Sequence, residues 1–389
     1  MILTDKQQQG LDIAIQRYKN KEKYTVISGY AGTGKSTLVR FIINALGVDE
    51  DTVCYATFTG KAAQVLLKKG NKNVSTLHKL LYKSVPRADG SFYRIPKPEI
   101  EYDIVIVDEV SMAPKELMKL LLSHPVHVIC LGDPFQLPPV DKDADNHLLD
   151  KPHIFLDEIM RQEAESDIIK LTMAIRNEEP IPYMDTKEVS VLPKYTLNEN
   201  MLLKADQIIV GTNATRIAVN NQVRQLLGRG NKPEDGDKVI CLRNYWENMA
   251  DNEDPLVNGT IGYINNSFQT FVKYPHYLGG KTVDVLQADF ISDSGANFGN
   301  LGLDSKMILT GERCLPPKEL WKISKNQTYG PTIPKEFTYG YAITCHKAQG
   351  SEYPKVLVLE ESFPFNKEEH ARWLYTAATR ASEKLIILR

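Results

Sequence analysis

Short apolar runs separated by polar or glycine-bearing turns recur through the first half of the chain: "YTVIS" at 24–28, "DTVCYAT" at 51–57, "YDIVIVDE" at 102–109 and "HVICLGD" at 127–133. Each reads as a buried strand, and "STLVRFIINAL" after the first carries apolar residues at helical spacing. Strands alternating with helices predict an α/β fold built on a parallel sheet with helices on both faces. A second set follows, with "QIIVGT" at 207–212, a helical "ATRIAVNNQVRQLL", "KVLVLE" at 355–360, a helical "ARWLYTAATRA" and "KLIIL" at 384–388. Between its halves, over 236–335, glycine, proline, aromatic and β-branched residues replace helical periodicity, as in "GDKVICL" and "KTVDVLQADF", which predicts an inserted small β domain. A shorter insertion, "YKSVPRADGSFYRIPKP" at 82–98, has "ADG" between aromatic- and proline-bearing arms and reads as a hairpin.

Ligands of such sheets gather at the carboxyl ends of the strands, and this chain places polar residues there: Lys35, Thr57, Asp108 with Glu109, and Asp133 with Gln136. The stretch "GYAGTGKST" at 29–37 fits G-x-x-x-x-G-K-[ST] between a strand and a helix, as a phosphate loop must. Its glycines let backbone N–H groups wrap phosphates, Lys35 supplies a point charge and Ser36 a hydroxyl for Mg²⁺. Gly32, Thr33, Gly34, Lys35, Ser36 and Thr37 are therefore the expected contacts of ATP. In "IVIVDEVSM", Asp108 would share Mg²⁺ with Ser36 and Glu109 would orient and deprotonate a water; alone, such a pair is equally a solvated turn. Gln136 in "LGDPFQLPPV" could sense a γ-phosphate or merely satisfy backbone. Arg161 and Arg380, each a surface ion pair when taken singly, become charge stabilisers if a cleft between twin α/β domains brings them to Lys35.

Composition narrows little. The 389 residues are 42% hydrophobic and 25% charged, with a net charge of −2, so a nucleic-acid partner would be met by a local groove rather than by the whole surface. Five scattered cysteines without a C-x-x-C pair argue against zinc and disulfides and fit a reducing cytoplasm. The start "MILTDKQQQG" lacks a secretory layout, and no apolar run nears the ~20 residues that cross a bilayer.

In this order the motifs resemble those of the superfamily 1B DNA helicases, in the RecD-like and phage Dda-like branch, across nearly the whole chain. "LTDKQQQGLDIA" is similar to the family's adenine-reading glutamine motif, with Gln7 best placed, "GYAGTGKST" to motif I, "VDEVSM" to II, "LGDPFQLPPV" to III, "YGYAITCHKAQGSEY" to V and "LYTAATRA" to VI. The resemblance implies two RecA-like domains, at 1–80 with 100–180 and at 181–235 with 336–389, a pin at 81–99 and an SH3-like module at 236–335. It implies that Arg161 and Arg380 contact phosphates and that Glu352 contacts the nucleotide or its ribose. It also implies that Thr59, Lys61, Thr76, His78, Thr344, His346 and Lys347 touch a DNA strand, although Phe58 stands where the branch has proline before Thr59. Threonines at these places serve equally as caps. Phe92 is the candidate wedge at a duplex fork, where an aromatic can stack on the last base pair. The expected activity is ATP-driven 5′-to-3′ movement on single-stranded DNA with unwinding of forked duplex, by a monomer, in company with replication or recombination proteins. A translocase that strips proteins from DNA is the alternative, and no residue pattern reads a 2′-hydroxyl to specify RNA.

Overall fold

The structure is a computed structural model of the chain and describes residues 3–86, 92–138, 144–159, 165–251, 255–326, 328–362 and 366–389. The chain divides into two compact units, one of Met1–Leu81, Lys97–Thr212 and Thr344–Arg389, the other of Tyr82–Pro96 and Asn213–Ile343. Along the chain the strands are β1 (Tyr24–Gly29), β2 (Val53–Thr57), β3 (Val74–Thr76), β4 (Tyr82–Pro86), β5 (Phe92–Pro96), β6 (Ile104–Val107), β7 (His127–Gly132), β8 (Ile154–Leu156), β9 (Met184–Asp185), β10 (Val189–Leu192) and β11 (Gln207–Val210). There follow β12 (Lys238–Cys241), β13 (Tyr245–Met249), β14 (Pro255–Leu256), β15 (Ile261–Lys273), β16 (Thr282–Ser292), β17 (Asn297–Asp304), β18 (Phe337–Tyr339), β19 (Ala342–Thr344), β20 (Tyr353–Leu359) and β21 (Ala381–Leu388).

The first unit holds a six-stranded sheet in the order β3-β2-β6-β7-β1-β8, with every described pairing parallel. All residues of β6 and β7 are buried, because helices cover both faces of a parallel sheet. Ile27, Leu38, Ile42, Ile106, Ile129 and Leu156 form the centre of its core. A second six-stranded sheet runs β19-β11-β20-β21-β10-β9; β11, β20, β21 and β10 are parallel and β9 is an antiparallel edge. The helix Lys367–Ala378 starts where Asn366 accepts the Glu369 N–H at 2.8 Å, with Glu368 and Glu369 in a first turn whose dipole favours acids. It buries Trp373, Leu374, Tyr375, Ala377 and Ala378.

The second unit is built on a five-stranded sheet, β17-β16-β15-β12-β18, whose described pairings are antiparallel. Its core gathers Val239, Leu286, Phe290, Phe298 and Phe337. Two short helices, Ser305–Thr310 and Pro317–Ser324, interrupt what the sequence reads as continuous β structure, since neither has enough turns to register as a 3.6-residue period. The helix Asn213–Leu226 is held by a buried fork: Arg224 Nε and Nη2 donate to the Asp237 carboxylate at 3.0 and 3.1 Å. The 82–98 insertion forms a hairpin, with β4 and β5 in register from Tyr82↔Pro96 to Pro86↔Phe92. Its connecting residues 87–91 lie outside the described residues.

Gly262 on β15 is required by close approach. A Cβ there would sit 2.1 Å from the Ile291 carbonyl oxygen on β16, and a ladder hydrogen-bonded on both sides has no room to yield. Gly262→Ala is expected to cost about 1–3 kcal/mol of stability through overpacking. Denaturant unfolding of the two proteins measures it, and a midpoint matching wild type would contradict the account. Among the described residues no helix is long and apolar enough to cross a membrane.

Candidate functional site

The loop after β1 has the shape its sequence requires. Gly32 and Gly34 adopt φ of 76° and 75°, where a Cβ is disfavoured, and the helix Lys35–Leu46 begins without a side-chain cap. Its first N–H groups and positive dipole end therefore face the loop, the arrangement that receives a phosphate. Lys35 Nζ donates to the carbonyls of Gly29 (2.7 Å) and Tyr30 (2.9 Å), and Thr33 Oγ1 to that of Tyr30 (2.8 Å). Ser36 is exposed at the second helical position and Thr37 is half-buried. Gln7 is buried beneath the loop. It forms a capping box with Thr4, and its Nε2 donates to the Thr33 carbonyl at 3.2 Å. Its amide thus braces the phosphate loop as well as a helix start.

β6 ends in the acidic pair. Asp108 Oδ1 accepts the Glu109 N–H at 2.9 Å, and Glu109 itself lies at φ 51°, a strained conformation for a residue with a side chain. Burial pushes the Asp108 carboxyl up to about 6, the Glu109 charge adds to this, and Lys35 opposes it. After β7, Asp133 is buried; its Oδ1 accepts the Phe135 N–H at 2.9 Å, and burial raises its carboxyl while Lys35 lowers it.

The second sheet of the same unit supplies the remaining groups. Arg380, just beyond the helix Lys367–Ala378, is 5% exposed and donates to the carbonyls of Thr376 and Ser351 at 3.1 and 3.2 Å. Its Nη1 lies 4.0 Å from Glu109 Oε1. With its amide turned so that Nε2 donates to Glu109 Oε2 and Oε1 accepts from Arg380 Nη2, both at 3.2 Å, Gln136 satisfies both neighbours. Three residues from three separate motifs thus converge across the two sheets. Arg161 lies outside the described residues.

The residues expected on DNA divide. Thr59 caps the helix Gly60–Lys68 by accepting the Ala62 N–H at 3.2 Å, and Thr76 accepts that of Lys79 at 3.3 Å. Phe58, in place of the branch's proline, packs its ring 5.7 Å from that of His78. Lys61 Nζ donates to the Tyr353 hydroxyl at 3.1 Å and stands 4.4 Å over its ring. Thr344 precedes the short helix Cys345–Ala348 without capping it, Lys347 is exposed, and burial lowers the His346 pKa. Glu352, expected at the nucleotide, is half-exposed and pairs with Lys69 at 3.7 Å. Phe92 opens β5.

Sequence reasoning passed over Tyr375, Thr376 and Gln349. Thr376 Oγ1 accepts the Leu137 N–H at 2.9 Å and Gln349 Nε2 donates to the Leu137 carbonyl at 2.7 Å, so both grip the loop that carries Gln136. Tyr375 reaches the phosphate loop and Asp133. For Tyr375 and Thr376 the available signal was their neighbourhood to Arg380 within "LYTAATRA", and for Gln349 its place in "YGYAITCHKAQGSEY".

The AAA domain family matches residues 3–190, and the UvrD-like helicase C-terminal domain family matches residues 339–388. The chain is 26% identical to the ATP-dependent RecD2 DNA helicase of Deinococcus radiodurans over 93% of this chain and 46% of that protein. It is 34% identical to the ATP-dependent DNA helicase dda of Enterobacteria phage T4 over 36% of this chain and 33% of that one. It therefore spans less than half the length of either relative. Among solved structures it is similar to a Bacteroides Pif1 helicase in complex with ADP-AlF3 and ssDNA, at a TM-score of 0.54 and 17% identity, over 100% of this chain and 92% of that one. That likeness is one of fold, two RecA-like domains with insertions. Matching families at both ends and relatives along the chain make it similar to the superfamily 1B helicases of the RecD, Dda and Pif1 type, and the solved structures share its fold.

Proposed function

We propose that this chain is an ATP-dependent DNA helicase that moves 5′-to-3′ on single-stranded DNA and opens forked duplex. The observation that carries the reading is the Glu109–Gln136–Arg380 bridge, because it couples the acidic pair of one sheet to a guanidinium of the other. The residues present fit MgATP. An uncapped helix start and left-handed glycines suit its phosphates. Ser36 and Asp108 line one small cavity beside the loop, which suits an ion held by them together with phosphate oxygens. Mg²⁺, when bound, neutralises charge on the phosphates.

In this mechanism Lys35 holds the outer phosphates, Glu109 orients a water and takes its proton, and Gln136 responds to the terminal phosphate. Arg380, with Arg161, stabilises charge that develops in the transition state. Closing and reopening the cleft would alternate the grip of Thr59, Lys61, Thr76, His78, Thr344, His346 and Lys347 on a strand. Residues 1–80 with 100–180 form the ATP-binding domain in this reading, 181–235 with 336–389 its twin, 81–99 the pin and 236–335 the SH3-like module. The protein works as a monomer in the cytoplasm.

Unwinding of 5′-tailed against 3′-tailed forked substrates tests activity and direction together. Opening of the 5′-tailed fork alone is the expected result; opening of the 3′-tailed fork reverses the direction. ATP turnover stimulated by single-stranded DNA with neither fork opened replaces helicase by a translocase that clears bound proteins. In the same assay Phe92→Ala is expected to slow unwinding by about tenfold while sparing DNA-stimulated ATP turnover, since one lost base stack is worth about 1–3 kcal/mol. Equal loss of both would remove Phe92 as the wedge.

A further inference from the structure

The helix Lys367–Ala378 brings a second group to the first sheet besides Arg380. Tyr375 is 1% exposed, and its hydroxyl uses its proton and its lone pair on different elements. It donates to Asp133 Oδ2 at 2.6 Å, in the loop after β7, and accepts the Ala31 N–H at 3.0 Å, in the phosphate loop after β1. The Phe135 ring meets the Tyr375 ring edge-on at 5.3 Å. Both polar contacts can be made only when the helix, the phosphate loop and the Asp133 loop stand in one relative placement. A shift that breaks these contacts while keeping water out leaves the hydroxyl and one carboxylate oxygen without this partner, which is costly. The Thr379 N–H donates to the Tyr375 carbonyl at 2.9 Å and the Arg380 N–H to the Ala377 carbonyl at 3.2 Å, so the turn that closes the helix ties Arg380 to Tyr375. Wherever the hydroxyl docks, the guanidinium is carried with it.

We propose that Tyr375 is a positioning residue: by clamping Ala31 and Asp133 it sets the docking at which Arg380 reaches Glu109 and Gln136, and it ties that docking to the shape of the phosphate loop. This rests on the ATPase reading above. Nucleotide in the ground state needs only the loop, whereas the transition state needs the docked arginine, so the hydroxyl should act on the second and not on the first.

Tyr375→Phe in the full chain keeps the ring and removes only the hydroxyl. With saturating single-stranded DNA, kcat for ATP is expected to fall about tenfold or more, as for one lost hydrogen bond to a carboxylate, with KM changed less than about threefold. Affinity for ADP should be kept and affinity for ADP with aluminium fluoride should fall in step with kcat. Asp133→Ala removes the acceptor at the other end of the same link, so the double variant should be no slower than the slower single variant. Unchanged kcat, equal weakening of ADP and ADP–aluminium fluoride, or additive losses in the double variant would each overturn the proposal. Absence of ATP turnover in the wild-type chain would instead overturn the ATPase reading itself.

Discussion

Lys35→Ala is expected to abolish ATP turnover, by about 10³-fold or more, while the protein stays soluble and folded. The ammonium now rests on the carbonyls of Gly29 and Tyr30, inside the curve of the loop, where it is placed for phosphate oxygens rather than for the core. Lys35 stands half-buried at the first position of its helix, where alanine is a good helix former. The electrostatic cost falls on its neighbours. Lys35 opposes the effect of burial on the carboxyls of both Asp108 and Asp133, so without it both rise further. Turnover with saturating single-stranded DNA, beside thermal unfolding of both proteins, checks the expectation. Residual turnover above a few per cent of wild type would mean that the loop does not work through this lysine.

Arg380→Ala is expected to lower kcat by about 10³-fold with only a small change in nucleotide affinity, because a guanidinium supplied across a cleft acts on transition-state charge. The present contacts explain why no neighbour replaces it. Arg380 is buried, spans from the Ser351 and Thr376 carbonyls to the Gln136 amide, and approaches Glu109. Arg380→Lys should recover little, since an ammonium cannot present a planar fork to partners on opposite sides. Paired measurements of kcat and of ADP affinity separate this from a folding defect. Loss of ADP affinity equal to the loss of kcat would place Arg380 in ground-state binding instead.

The core of the site was legible as residues before it was legible as a place. A phosphate loop must lie between a strand and a helix, and an acidic pair in a parallel sheet must follow a strand, so Lys35, Ser36, Asp108 and Glu109 announce themselves by type and spacing. Short-range chemistry likewise explains which assignments have a local use in the fold. Gln7, Thr59 and Thr76 all make helix-start or turn hydrogen bonds within three residues of themselves, a use of polar side chains that sequence pattern cannot separate from ligand contact. Tyr375 was hidden for the opposite reason. A tyrosine on the apolar face of a helix reads as core, and its ring is core; only its last atom reaches Asp133 and Ala31.

By itself the sequence determined the strand-and-helix alternation, the phosphate loop and the chemical kinds of group at the strand ends, because each depends on spacing within a few residues. The tertiary structure alone decided that Gln136 lies between Glu109 and Arg380, and that the helix bearing Arg380 also grips the phosphate loop through Tyr375. Arg380 and Tyr375 are separated from their partners on the first sheet by hundreds of residues, and such contacts follow from how two sheets pack, which no local period encodes.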